Sequence, residues 1–281
     1  EEKVVKMDDR FYDPGYIKVG RETIKCWRTG NPHGSQTFLE GIENSCNPVF
    51  VDIGLRLDAK EKNLLYTYLK AFGFGQTTGI DLFGEAKGIM IPESQLKPIN
   101  IATISIGQGI AVTPLQLITA VSASVNGGYL YKPRLVKEIW DHEKEVVKSF
   151  EPKRVRQVIS QETSRQVALA LERVVSNGTG RNAYIPGYRV GGKTGTAQIA
   201  SQGGYLQGRY IASFIGLAPV NDPRLVILVV AEEPEGIYYG GTVAAPVFQK
   251  VMEDSLHYLG VPPQFTQEEL KEKGRAKLPE V

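Results

Sequence analysis

The heptapeptide from Leu225 to Ala231, LVILVVA, is apolar at every position. An extended chain turns successive side chains to opposite faces, so such a run requires apolar layers above and below it. The preceding segment, Tyr210 to Val220, is strand-like and is joined to it by the turn sequence Asn221-Asp222-Pro223-Arg224. With a third strand over about 189–199, the three form an antiparallel meander in which LVILVVA is central and needs a further strand beside it. Thr242 is predicted to cap a last helix, with Val247, Phe248, Val251, Met252, Leu256 and Leu259 on its buried stripe and Pro246 in its first turn.

The first half reads as helical. Thr37-Phe38-Leu39-Glu40 spells a capping box, Asn47-Pro48 an N-cap followed by proline, and Glu61 to Phe72 a helix that ends at Gly73. The stretch from Gly73 to Gly88 is too rich in glycine for regular structure. Thr113-Pro114 opens another helix that stops at Asn126-Gly127-Gly128. Ser160 caps one whose stripe is Val167, Ala170, Leu171, Val174 and Val175, and which ends at Gly178. The organisation expected is α+β, with a helical portion over about 37–126 and a sheet with its final helix over about 186–260.

Between these parts lies Val190 to Gln198, VGGKTGTAQ, where a lysine and two threonines sit among glycines. Gly187 to Thr194 matches the phosphate-binding spelling G-x-x-x-x-G-K-[ST], but that motif must leave a buried strand and open a helix. Here Pro186 and Gly187 spoil the strand, and GTAQIASQGG has no helical period. The other chemistry that uses K-T-G is acyl transfer, with the tripeptide on an edge strand lining a serine nucleophile's cleft. On these residues alone, a glycine-rich hairpin with a solvated lysine competes with that reading.

Composition narrows the classes. A net charge of +2 without like-charge runs gives no case for nucleic acid. His33, His142 and His257 are far apart and lack metal-ligand spacing, which argues against a zinc site, and no cofactor is expected. No apolar segment is long enough to span a bilayer, and the first residues, EEKVVKMDD, do not resemble a signal peptide.

Five ordered blocks carry a resemblance: Ser45-Cys46-Asn47 within EGIENSCNPVF, FGFGQTTGIDLFGEAKG, ISIGQGIAVTPLQL, GTGRNAYIPGYR and GGKTGTAQ. Together they resemble the transpeptidase domain of class B penicillin-binding proteins, and KCWRTGNPHGSQT and GTGRNAYIPGYRVGGKTGTAQ point to the sporulation type that acts on the spore cortex. The similarity runs from Phe11 to about Pro262. It implies the penicilloyl-serine transferase (β-lactamase/transpeptidase-like) fold, an antiparallel sheet with flanking helices plus a helical subdomain. It makes 1–262 the C-terminal part of a transpeptidase domain and 263–281 a tail toward a PASTA module.

The same resemblance implies roles. Ser45 lies on a turn between two helices and relays a proton to the leaving amine. Asn47 binds the donor peptide backbone, and Lys193 supplies positive charge and a hydrogen bond to Ser45. Thr194 and Thr196 grip the terminal D-alanine carboxylate or its β-lactam equivalent past Gly195, and the Thr196 N–H forms half of an oxyanion hole. The partners implied are peptidoglycan stem peptides and β-lactams, and the location is extracytoplasmic, with a membrane anchor upstream.

The family's nucleophile is the serine of an S-x-x-K motif that precedes S-x-N. The one S-x-x-K here, Ser94 to Lys97, follows Ser45 and runs into Pro98, which pushes Lys97 out of helical geometry. The nucleophile, its lysine and two strands of the sheet are therefore expected in an upstream segment, and the chain alone is expected to be inactive. Cys26 and Cys46 read either as buried small hydrophobes or as a redox pair whose disulfide distorts the Ser45 turn and calls for a thiol-disulfide oxidoreductase. The functions open at this point are a D,D-transpeptidase, a β-lactam hydrolase of the same fold, and a non-catalytic peptidoglycan or β-lactam binding module.

Overall fold

The computed structural model describes residues 1–28, 30–201 and 204–265. The expected tail lies largely outside them. No described helix is long and apolar enough to cross a membrane.

The chain opens with four short strands absent from the sequence reading: β1 (Arg10–Asp13), β2 (Tyr16–Val19), β3 (Glu22–Lys25) and β4 (Gly34–Thr37). β1 pairs with β4 and β2 with β3, both antiparallel. Helices α1 (Phe38–Glu43), α2 (Asn47–Lys60) and α3 (Leu64–Ala71) follow. Thr37 forms the expected capping box with Glu40. The second helix differs in detail from expectation: Cys46 takes the N-cap place, so Asn47 is already helical and its amide is free for other work. The third begins three residues late, at Leu64, because Asn63 adopts a left-handed conformation that interrupts the run from Glu61.

Residues 73 to 88 are irregular, as their glycines require, and Gln116 holds them by donating to the carbonyls of Gln76 and Lys87 at 2.7 and 2.9 Å. Helices α4 (Pro98–Ser105) and α5 (Pro114–Val125) come next, the latter capped by Thr113. A projecting arm of short strands was also unforeseen: β5 (Tyr129–Lys132), β6 (Glu138–Trp140), β7 (Val146–Ser149) and β8 (Lys153–Gln157). Helix α6 (Gln161–Ser176) starts at the predicted Ser160 cap, whose hydroxyl accepts from Thr163 N–H.

The meander is present as β9 (Gly191–Ser201), β10 (Gly204–Ala218) and β11 (Leu225–Glu232), in the order β11-β10-β9. Among the described residues the central strand is therefore β10, not LVILVVA. Ala212, Phe214, Leu217 and Ala218 of β10 are fully buried, whereas every residue of β11 is partly open and Val230 is 44% exposed. Both layers that LVILVVA required do exist. Leu225, Ile227 and Val229 pack on the cluster of Phe214, Phe248, Met252 and Leu256, and Val226 packs on the cluster around Val125 and Ala168. Among the described residues no further strand pairs with β11.

The C-terminal helix also departs from expectation. Thr242 lies inside a short helix α7 (Gly240–Val243), and the long helix α8 (Ala245–Tyr258) starts after Ala244 with Pro246 in its first turn. Phe248, Met252 and Leu256 are buried as read, but Val247, Val251 and Leu259 are about half exposed. The helix meets the sheet along a narrower stripe than its apolar residues could fill.

Candidate active site

Helix α1 ends in a way that presents a hydroxyl. Cys46 N–H donates to Gly41 O at 2.9 Å and Ser45 N–H to Ile42 O at 3.1 Å, the paired bonds of a Schellman motif, with Ser45 at its left-handed position (φ 52°). Glycine is the residue that this position favours, since a Cβ in the left-handed region costs about 1–2 kcal/mol. A serine held there keeps a backbone strain that glycine would relieve.

Strand β9 brings the second group. It is the edge of the sheet, as read, and Gly187 to Thr194 leads into a strand with no helix after it, which removes the phosphate-loop reading. Lys193 donates from Nζ to Ser45 Oγ at 2.7 Å and to Thr194 O at 3.0 Å. The strand's small residues are required on both of its faces, since Gly192 and Gly195 lie three residues apart. A Cβ on Gly192 would lie 2.4 Å from Phe214 Cζ, and one on Gly195 the same distance from Ser213 Oγ. Burial of the Lys193 ammonium lowers its pKa to about 8.

A loop missing from the sequence reading of the site locks these parts together. Thr179 donates its N–H to Glu43 O at 3.1 Å, and its hydroxyl lies 3.2 Å from that of Thr194. Gly178 lets this loop touch the end of α1, because a Cβ there would sit 2.4 Å from Glu43 O. The Glu43 carboxylate takes a 2.7 Å hydrogen bond from Arg173 Nε, tying α1 to α6. The signal available in the sequence was Gly178-Thr179-Gly180, a hydroxyl flanked by glycines. Thr196 turns its hydroxyl to accept from Gly240 N–H at 3.2 Å, so Thr194 and Thr196 share one side of β9. Asn47 does not cap α2; its Nδ2 donates to Lys25 O at 2.9 Å, which fixes its amide beside the Ser45 turn.

Ser94 and Lys97 are not brought into this group. Ser94 lies in a single 3-10 turn (Glu93–Gln95), and Lys97 has extended backbone at φ −118° and ψ 161°. Without a helix between them the lysine does not sit one turn from the serine.

Immediately behind the Ser45 turn lies a polar knot. Cys26 and Cys46 are both free and buried. His33 Nδ1 lies 3.5 Å from Cys26 Sγ and 2.8 Å from Asp13 Oδ2, and Cys46 Sγ lies 3.3 Å from the same oxygen. Spacing among histidines could not have revealed this cluster, because only one of its four members is a histidine. Hydrogen bonding with Cys46 brings the Cys26 thiol down to about 7, while Cys46, buried and facing Cys26, is pushed up. Burial opposes ionisation of Asp13, yet the bonds from His33, Gly15 and the thiols hold its carboxyl below the usual range.

Comparison with known proteins agrees with this geometry. Residues 1–253 match the family described as "Penicillin binding protein transpeptidase domain". The chain is 53% identical over 273 residues to Stage V sporulation protein D of Bacillus subtilis, covering 96% of this chain and 42% of that protein. It is 31% identical to penicillin-binding protein PbpB of Mycolicibacterium smegmatis, covering 93% of this chain and 41% of that one. The chain thus spans less than half the length of these curated relatives. Penicillin-binding protein 3 of Mycobacterium tuberculosis in complex with ampicillin superposes with a TM-score of 0.83 at 30% identity, covering 94% of this chain and 60% of that one. The transpeptidase domain of penicillin-binding protein 3 from Burkholderia pseudomallei gives 0.81 at 32% identity, covering 93% and 76%. The chain has the penicilloyl-serine transferase fold and belongs to the penicillin-binding protein transpeptidase family.

Proposed function

We propose that this chain supplies the recognition and proton-relay half of a serine-type peptidoglycan D,D-transpeptidase that acts in sporulation, at the outer face of the membrane. The observation that carries the reading is the 2.7 Å bond between Lys193 Nζ and Ser45 Oγ, made across 148 residues onto an open sheet edge. The sporulation setting rests on the Bacillus subtilis relative.

In the proposed reaction, a nucleophilic serine from an S-x-x-K segment outside residues 1–281 attacks the penultimate D-alanine carbonyl of a stem peptide. The C–N bond to the terminal D-alanine breaks, the lysine of the S-x-x-K segment takes the nucleophile's proton, and Ser45 passes a proton to the departing amine and regains one from that lysine. The amine of a second stem peptide then attacks the ester and gives up a proton, which returns through the same relay to the serine oxygen as the ester bond breaks and the cross-link closes. Lys193, Thr194 and Thr196 hold the terminal carboxylate, the small Gly195 leaves room for it, and Asn47 positions the donor backbone. The Thr196 N–H on the free side of β9 stabilises the developing oxyanion, a kind of contact worth about 3 kcal/mol. The half-exposed β11 and the partly bare stripe of α8 are consistent with cover supplied by the same outside segment. A thiol-disulfide oxidoreductase is a partner on this reading only if Cys26 and Cys46 are found oxidised.

Labelling with a fluorescent penicillin tests the proposal. Residues 1–281 alone are expected to form no covalent adduct, and the protein joined to its S-x-x-K segment a stable one. Rapid turnover of the label would point to a hydrolase of this fold. An adduct on residues 1–281 alone would overturn the assignment of the nucleophile, and no adduct in the joined protein would leave only a binding module.

A further inference from the structure

Two consecutive residues of α6, Glu172 and Arg173, carry opposite charges, and the helix turns their side chains about 100° apart. Glu172 accepts a forked pair of hydrogen bonds from Arg189, from Nε at 2.7 Å and from Nη2 at 2.5 Å. Arg173 donates from Nε to the Glu43 carboxylate at 2.7 Å. Arg189 lies two residues before β9, the strand of Lys193, and Glu43 lies two residues before Ser45. One turn of α6 therefore holds the lead into both partners of the Ser45–Lys193 contact.

Neither pair is a loose surface contact. The Glu172 and Glu43 side chains are 24% and 10% exposed, so each carboxylate depends on its guanidinium for hydrogen bonds that water cannot fully supply. With the Asn177 amide oriented to satisfy both its atoms, its oxygen accepts from Arg173 Nη1 and Nη2 at 3.0 and 2.8 Å. Arg189 is held by its main chain too, its N–H donating to Gln264 Oε1 and its O accepting from Val220 N–H, both at 2.9 Å. Helix α6 also lies flush on the start of β9, where a Cβ on Gly191 would come within 3.1 Å of Glu172 N.

The contact that these pairs bracket needs such a frame. Helix α1 has six residues, too few to stand as a helix without packing. Among the described residues β9 pairs on one side only, with β10. We propose that Glu172 and Arg173 form a yoke which, through Arg189 and Glu43, sets the distance between the Lys193 ammonium and the Ser45 hydroxyl. All four are positioning residues, since they act on the two groups through the elements that carry them.

The inference rests on the transpeptidase reading and adds to it the step that the yoke governs. Lys193, Thr194 and Thr196 all ride on β9, so a shift between strand and turn leaves their grip on a carboxylate whole. It misplaces the Ser45 hydroxyl, whose work falls in the bond-breaking step, where an error of about 1 Å costs roughly a hundredfold. Loosening the yoke lowers the rate of acylation and spares affinity.

The test is acylation by a fluorescent penicillin in protein joined to its S-x-x-K segment, followed against penicillin concentration to separate the saturating rate from the half-saturating concentration. Glu43→Ala and Arg189→Ala should each lower the saturating rate by about tenfold or more. The half-saturating concentration should change by less than about threefold. Glu43→Gln keeps an oxygen for Arg173 Nε and should stay within about threefold of the parent rate. Each variant is assayed well below its melting temperature, with circular dichroism confirming the fold. If Glu43→Ala does not fold, Arg173→Ala, at a half-exposed position, decides in its place. Folded variants with the parent's saturating rate would overturn the proposal and leave the transpeptidase reading standing, as would variants that lose affinity alone. A parent that takes no label would remove both.

Discussion

Replacing Ser45 by glycine and, separately, by alanine separates two effects that one side chain combines. The first is backbone strain. Ser45 has φ 52° at the left-handed position that ends α1, and a Cβ there costs about 1–2 kcal/mol. Alanine keeps that cost and glycine removes it. Glycine in turn loses about 0.4–1 kcal/mol through the greater freedom of its unfolded chain, so about 1 kcal/mol should remain in its favour. The second effect is the hydroxyl. Both variants deprive Lys193 Nζ of the 2.7 Å acceptor and leave it the Thr194 carbonyl alone, at a cost of about 1–3 kcal/mol. The alanine variant should therefore be clearly less stable than the parent, and the glycine variant should recover about 1 kcal/mol of that loss. Urea titration read by circular dichroism measures this directly, and in a chain of this size the gap between the variants corresponds to about 2–4 °C in melting temperature. Both should slow penicillin labelling by about a hundredfold or more in protein joined to its S-x-x-K segment. An alanine variant as stable as the glycine one would refute the view that Ser45 is held in a conformation its backbone resists.

Lys193 should confer a pH signature. Its pKa is lowered from 10.5 to about 8, so folding opposes its charge, and the cost of about 3 kcal/mol is fully present below pH 8. Stability should rise as pH increases from about 8 to 10.5, and comparison with Lys193→Met by denaturant titration across that window should show the rise lost in the variant. Gly178→Ala would drive a Cβ to within 2.4 Å of Glu43 O, so it should push the Thr179 loop off α1 and slow penicillin labelling at least tenfold while costing about 1–3 kcal/mol in stability. Phe248→Ala removes a fully buried ring that packs 4.8 Å from Phe214 behind β9, and should cost about 3–5 kcal/mol by the same titration.

What could be read from sequence was local. Thr37, Thr113 and Ser160 announced their helices because a cap is a property of a few adjacent residues, and glycines 73 to 88 announced a loop for the same reason. The strands of the amino-terminal part escaped because four residues such as RFYD or YIKV are too few to display a period. In the arm, β7 and β8 escaped because they are exposed at every position and carry no apolar alternation. LVILVVA was correctly seen as needing two layers, but its place in the sheet depends on pairing that its own residues do not encode. At the site, Ser45 and Lys193 were joined through a family resemblance, and no periodicity could have placed them 2.7 Å apart. Thr179, Glu43, Asp13 and His33 belong to the same neighbourhood and were passed over, since each acquires its role only when distant elements fold together.

The most direct measurement is a double-mutant cycle on Ser45 and Lys193, read as the rate of acylation by a fluorescent penicillin in protein joined to its S-x-x-K segment. If the two groups act as one unit, Ser45→Ala and Lys193→Ala should each slow acylation by about a hundredfold or more, and the double variant should be little slower than either, a coupling of about 2 kcal/mol or more. Effects that simply multiply would mean that the hydroxyl and the ammonium act independently, whatever their separation in the fold.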